Sequence, residues 1–310
     1  MAMEDRTIAH ARSITERTSE EPRFRLSSRV REVWAYREIL GNLIRKELKV
    51  KYTASVLGAI WSLLNPVVFL AVFSFVTIML GNNIPNFPVF LLSGLLAWNL
   101  FSVSLGTGAR SVIDNGNLVK KVAFPREILP LSVAGVALVD FVLQSTVLLA
   151  FILISGYGFH LPELALYPLA LLTLVVVTVA VTFWVSSVNV RYRDVEHLVG
   201  LGLLIWFWMT PIVYPGSIVQ QKLLQHEVLG VNLWNVYMVN PLCSVVFGFQ
   251  RALYGQVSPM SADGPVPVLP DVSLAWLAGV LAITLAVALV VLLWTWRSFF
   301  RRAGDFAEDL

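Results

Sequence analysis

Few residues of this 310-residue chain could do chemistry, and the best marked lie between two long apolar stretches, in Asp114-Asn-Gly-Asn-Leu-Val-Lys-Lys-Val-Ala-Phe-Pro-Arg-Glu-Ile-Leu-Pro130. Lys120, Lys121 and Arg126 cannot be left in hydrocarbon, where each cation costs roughly 3 kcal/mol on insertion scales. Such groups can make charge-assisted hydrogen bonds to the carboxylates of a partner, so this is the polar surface best suited to receive work. Asp140 and Gln144 form a second polar pair, one helical turn apart on one face of an apolar run. A carboxylate there either faces a watery path or makes an interhelical or subunit contact, and both readings stand. No Lys, Arg or His is expected at matching depth, which is thin material for a proton or sodium relay and counts against an ion-coupled carrier. His10, His160, His197 and His226 are scattered without HExxH or Cys/His spacing, so metal chemistry is not expected. The single Cys243 excludes an intramolecular disulfide and reads as a packing residue.

The elements that must position these residues follow from composition. With 57% hydrophobic and 14% charged residues and a mean hydropathy of +0.72, the chain reads as an all-α integral membrane protein. A crossing helix needs roughly 20 mostly apolar residues, and about six such stretches are present. They run near Leu57–Leu80, Val89–Arg110, Leu131–Ser155, Tyr167–Val188, Leu198–Val213 and Leu274–Trp296. No apolar signal-peptide region is expected before them. Positive charge is retained in the cytoplasm, and the N-terminal segment from Arg6 to Lys51 is strongly basic. Alternate crossing then places Arg110, the Asp114–Pro130 loop, Arg191, Arg193, Arg297, Arg301 and Arg302 on the same side, leaving Lys222 and Arg251 opposite. Both termini are therefore expected in the cytoplasm. The net charge of +3 expresses this bias and gives no reason to expect nucleic acid as a partner.

Residues 1–29 read as a flexible charged tail, residues 30–50 as an amphipathic helix and residues 51–310 as the six-span domain. In that helix Val33, Tyr36, Leu40, Leu43, Ile44 and Leu48 recur at helical spacing, with Trp34 at its start and Arg45, Lys46 and Lys49 toward the polar side. It is expected to lie in the inner membrane interface against anionic lipids; a soluble helix packed on another surface is the alternative. On the outer side, Val228–Tyr254 is apolar but cut by Pro241 into halves too short to cross, and reads as two re-entrant half-helices. Ser258–Pro270 reads as an exposed outer loop. Trp206, Phe207, Trp208, Tyr214, Trp234 and Tyr237 gather toward this end. Such rings belong to an interfacial belt in almost any membrane protein, and they can also stack on sugar faces.

The chain resembles the permease subunits of ABC-2 type ABC exporters, in particular those of polysaccharide exporters. The resemblance runs from about Val30 onward. It rests on Ile44-Arg-Lys-Glu-Leu-Lys-Val-Lys-Tyr52 with Leu57-Gly58, Trp61 and Pro66, and on the inner loop Asn117–Pro130. It also rests on Asn189-Val-Arg-Tyr-Arg-Asp194, on Thr210-Pro-Ile-Val-Tyr-Pro215 and on Asn240-Pro241. What it implies is a coupling surface for a separate ATPase, formed by Asn117, Lys120, Lys121, Phe124, Pro125, Arg126 and Glu127 with Arg191, Arg193 and Asp194. In that reading the basic residues pair with acidic groups and Phe124 fills an apolar groove; the alternative is that the cations only set topology. Trp206, Trp208, Pro211, Tyr214, Pro215, Trp234, Tyr237, Asn240 and Pro241 would form the outer path and gate. The sequence contains no G-x-x-x-x-G-K-[ST], so ATP and magnesium are expected on two copies of the partner ATPase and no cofactor on this chain. The substrate would be a lipid-linked polysaccharide, carried between two copies of the chain in a bacterial cytoplasmic membrane. An exporter of drugs or small lipids is the alternative within the family, and a secondary carrier lies further off.

Overall fold

The computed structural model describes residues 25–53, 60–79, 84–159, 161–228, 230–261 and 264–310. Residues 1–24 with His10, the Leu57-Gly58 tag, His160 and the Trp61 side chain lie outside the described residues. The first two helices are α1 (Leu26–Ala35) and α2 (Arg37–Thr53). The amphipathic stretch is thus broken at Tyr36, whose φ of −95° and ψ of 17° depart from the helix. α2 packs along the helix Ile128–Ile154. A Cβ at Gly135 would meet Ile44 Cδ1 at 2.5 Å, and Lys51 and Tyr52 both reach Asp140. Successive contacts therefore advance in the same direction along both chains.

The apolar runs form α3 (Ile60–Met79), α4 (Phe87–Asp114), α6 (Ile128–Ile154), α8 (Leu166–Arg191), α9 (Val195–Trp208) and α13 (Leu274–Ala303). Among the described residues, four helices, counting α8 with the short α7 (Leu161–Leu164) before it, are long and apolar enough to cross a membrane. Leu63–Met79 and α9 are apolar but shorter. α9 stops before the expected Val213 because Pro211 and Pro215 withhold amide donors; Thr210–Pro215 continues as irregular chain. α13 begins with a Ser273 cap that accepts from Trp276 N at 3.1 Å and ends on Arg301 and Arg302, where basic charge suits the carbonyl end.

α4 is the central helix, the most enclosed of the four long ones, and packs on α6, α8 and α9. Gly108 lets α4 and α8 approach closely: a Cβ there would come within 2.5 Å of Thr182 Cγ2. α13 packs chiefly on α8. Two buried clusters result. The larger includes Phe90, Phe101, Phe141, Leu174 and Phe249; the smaller gathers Val119, Ile128, Phe183, Phe299 and Phe306 at the inner ends.

Between α9 and α13 lie α10 (Gly216–Leu224), the hairpin β1–β2 (Glu227–Val228, Val231–Asn232), α11 (Leu233–Tyr237) and α12 (Pro241–Leu253). A second hairpin, β3–β4 (Met260–Ser261, Gly264–Pro265), follows. Only the half after Pro241 is a helix of length; the half before it is a hairpin and a single turn, because Gly230 takes a φ of +75°. Pro241 and Asn240 start α12 well, Asn240 Oδ1 accepting from Leu242 N at 3.0 Å. Nor is Ser258–Pro270 wholly exposed: Val268 and Leu269 are buried, and Val268 O accepts from Ser217 N.

Candidate functional site

At the inner ends, the six-residue α5 (Gly116–Lys121) follows α4 directly. Val119 turns into the smaller cluster, which leaves Asn117, Lys120 and Lys121 exposed. The rest of the first-loop set is enclosed to different degrees, Pro125 and Glu127 buried, Phe124 and Arg126 half-buried. Arg126 Nη1 donates to Ala303 O at 2.7 Å, completing a carbonyl left open at the end of α13. Glu127 is buried and accepts from Trp296 Nε1 at 3.3 Å. Pro125 is buried, and Phe124 packs on the cluster with Phe306 and Leu310. Phe124 and Arg126, both half-buried, thus also join the loop to α13 and to the cluster that holds α14 (Phe306–Asp309).

Arg191, Arg193 and Asp194 are exposed where α8 turns into α9. This turn is tied to the first loop. Arg110 Nε lies 3.5 Å from Asp114 and 3.6 Å from Glu196. The buried Asn189 donates to Ala109 O at 2.9 Å and accepts from Glu196 N at 3.0 Å. Arg302 Nη1 donates to Ser187 Oγ at 3.1 Å. Exposed ion pairs hold little energy individually, about 0–1 kcal/mol, whereas the enclosed amide staple fixes geometry. Both inner loops and the end of α13 thus form one connected surface. On α1 and α2, Trp34, Arg45, Lys46 and Lys49 are exposed, Trp34 by 69%, and Leu40 packs on the smaller cluster.

The expectation that no Lys, Arg or His lies level with Asp140 is corrected. Lys51 Nζ lies 2.6 Å from Asp140 Oδ2, and Tyr52 OH donates to Oδ1 at 2.5 Å. The partner was invisible along α6 because α2 carries it to this depth. Gln144 Oε1 accepts from Asn99 Nδ2 at 3.0 Å. Asp140, Gln144, Lys51, Asn99 and Asn65 all line one cavity of about 130 Å³.

At the outer side, Asn240 is the junction. It accepts from Trp206 Nε1 at 2.8 Å and donates to Thr210 Oγ1 at 3.4 Å. Gln250 Nε2 donates to Pro211 O at 3.1 Å, and Pro211 and Pro215 are buried, so the irregular Thr210–Pro215 backbone is held inside protein. Tyr214 OH donates to Trp208 O at 2.8 Å and meets Tyr237 OH at 3.5 Å. Trp208 stands 55% exposed beside Phe73 of α3, whereas Trp234 is buried on Tyr237 and Phe247.

One outer constellation was missed by sequence reading. Arg251 Nε lies 2.8 Å from Glu163 Oε1, an ion pair by distance outside hydrogen-bond geometry, with both side chains about 15% exposed. Arg251 also donates to Gln256. Tyr254 OH donates to Pro85 O at 2.8 Å, and Tyr157 OH donates to Tyr254 O at 2.5 Å. Burial first, then the Glu163 carboxylate, push the Tyr157 phenol up to about 12. The lone outer arginine was the available signal, since a solitary cation on an apolar helix needs a carboxylate.

Long apolar helices, charged loops bound into one polar surface and an enclosed break before the last helix define a multi-pass membrane protein. Residues 40–250 match the ABC-2 type transporter family, and the chain belongs to it. It is 34% identical over 284 residues to the O-antigen export system permease protein RfbA of Myxococcus xanthus, covering 91% of this chain and 98% of that relative. Two proteins of the same name from Klebsiella pneumoniae are 30% and 31% identical, each alignment covering 69% of this chain and 79% of the relative.

Proposed function

We propose that this chain is the membrane subunit of an exporter that moves a lipid-linked cell-surface polysaccharide across the bacterial cytoplasmic membrane. The observation that carries this reading is the similarity to the RfbA permease over nearly the whole of both chains. ATP is hydrolysed by two copies of a separate ATPase, and two copies of this chain enclose the conduit. The exposed apolar faces of α3 and α9, including Val68, Val72, Leu201, Leu204 and Ile205, support a contact or conduit wall between copies. Both termini lie in the cytoplasm, following the distribution of basic residues.

Six crossings are the reading that best uses the helices: four long ones, α3, and α9 extended by Thr210–Pro215. The outer segment is re-entrant. In support, Pro241 lines a groove with Val177 and Thr284 along α8 and α13, while Tyr254 returns to Pro85. The tail is residues 1–29, the interface helix residues 30–50 and the six-span domain residues 51–310; the helices Leu26–Ala35 and Arg37–Thr53 support the middle segment. Membrane lipids meet its exposed Trp34, Arg45 and Lys46.

Asn117, Lys120, Lys121, Arg191, Arg193 and Asp194 take the thrust of the ATPase. Pro125, Arg126 and Glu127 pass it to α6 and α13, since their carbonyls accept from the first turn of α6 and the Arg126 and Glu127 side chains bond α13. The outer break around Asn240 and Pro241 opens in response, with Trp206, Trp208, Tyr214 and Tyr237 beside the exit. Deleting the chain should abolish surface glycan, and supplying it in trans should restore it; glycan persisting without the chain refutes export. Lys121→Glu should reduce both ATPase recovery with the membrane subunit and glycan export. A Lys121→Glu chain that retains both eliminates the coupling role.

A further inference from the structure

The cavity at Asp140 lies far from either end of the helices that build it. Asp140 is 12 residues from the start of α6 and 14 from its end, or ~18 and ~21 Å along the axis. Asn99 is 12 residues from the start of α4 and 15 from its end, or ~18 and ~22 Å. Polar side chains at such depth are costly in lipid and mark paths for polar cargo. Here they arrive from four helices, which a single stabilising contact would not require.

The chemistry of the lining selects its ligand. Lys51 and Asp140 oppose each other at 2.6 Å, so the cavity carries paired charge and offers no net attraction to a free ion or a phosphate. Asn65, Asn99 and Gln144 add carboxamides, which both donate and accept. Hydroxyl groups need both at once. Leu100, Val103 and Phe141 supply an apolar wall of the kind that accepts the C–H face of a sugar ring. A volume of about 130 Å³ is the share of roughly four waters at ~30 Å³ each, the order of one ring. We infer that this cavity is a subsite for a neutral, hydroxyl-rich sugar unit of the exported glycan, which rests on the export reading above. It exchanges hydroxyl–water hydrogen bonds for hydroxyl–amide ones midway through the crossing.

The test uses the full chain with its ATPase in glycan-exporting cells, with Cys243→Ala as background. Val103→Cys places a thiol on the cavity wall, and Val290→Cys places one on an exposed face of α13. N-ethylmaleimide modification is compared between cells that make the glycan and cells lacking its first glycosyltransferase. Occupancy should slow modification of Val103→Cys by about threefold or more when glycan is made, with Val290→Cys unchanged. Equal rates at Val103→Cys overturn the subsite. A second arm replaces both members of the amide pair, Asn99→Leu with Gln144→Leu. Removing both hydrogen-bond partners together is nearly neutral for stability, so membrane levels should hold while export falls about tenfold. Normal export by the double variant also overturns the proposal. If surface glycan persists when the whole chain is deleted, the export reading itself has failed, and the two failures are distinguished.

Discussion

Adding one methyl group at Gly108 probes the closest helix approach near the inner loops. A Cβ there would stand 2.5 Å from Thr182 Cγ2, against 3.7 Å from Thr182 Cβ. Ordinary carbon contacts lie near ~3.5–4.0 Å, so α4 and α8 must separate or Thr182 must leave its rotamer. Threonine is branched at Cβ and cannot swing one arm without moving the other. Overpacking of this kind costs roughly 1–3 kcal/mol. Gly106→Ala is the matched control, because nothing lies within 4 Å of its Cβ and it sits in the same helix. Alanine gains about 0.5–1 kcal/mol of helix preference at both sites, so the difference between the two variants isolates the clash. Thr182→Ser removes the clashing methyl alone and costs about 0.8 kcal/mol or somewhat more for the lost group. Added to Gly108→Ala, it should restore most of the lost stability. The assay is reversible unfolding in mixed micelles, followed by tryptophan fluorescence and analysed as a double-mutant cycle. A coupling of roughly 1–2 kcal/mol in the rescuing direction is expected, and simple additivity within about 0.5 kcal/mol refutes the close-packing argument.

Three further outcomes follow from the same geometry. Asp140→Leu leaves the Lys51 ammonium at mid-depth without its 2.6 Å partner and should destabilise by less than the roughly 3–5 kcal/mol of a fully buried pair, because Lys51 is partly exposed. Lys51→Met added to it should recover most of the loss in the same unfolding assay; no recovery refutes the pairing. Arg126→Ala should lower stability by about 1 kcal/mol through the lost donor to Ala303 O and loosen the end of α13, read as faster proteolysis after Arg301. Tyr157 has a folded pKa raised from 10.0 to about 12, so its stabilisation is complete below pH 10 and is lost as pH rises through 12. Tyr157→Phe should remove that part of the alkaline decline, and an unchanged alkaline profile refutes the assignment.

The inner loops were legible because charge cannot enter hydrocarbon, and that constraint acts residue by residue. The breaks at Pro211, Pro215 and Pro241 were legible for the same local reason, since a missing amide donor interrupts a helix wherever it occurs. Pairing was not. Lys51 and Asp140 are 89 positions apart, and Arg126 and Ala303 are 177 apart, so only the packing of α2 on α6 and of α13 beside the loop brings them together.

Facing was equally hidden. In a membrane helix, sides turned to lipid and sides turned to neighbours are both apolar, so periodicity does not mark the buried side. Trp208 remains exposed while Trp234 is enclosed, although both belong to one aromatic-rich outer stretch. By itself the sequence determined a multi-pass membrane chain with charged loops between its apolar runs and a segment interrupted at Pro241 before the last helix. The tertiary structure decided which charges stay exposed, which neutralise each other inside, and where a polar cavity opens, because those properties depend on distances between helices remote along the chain.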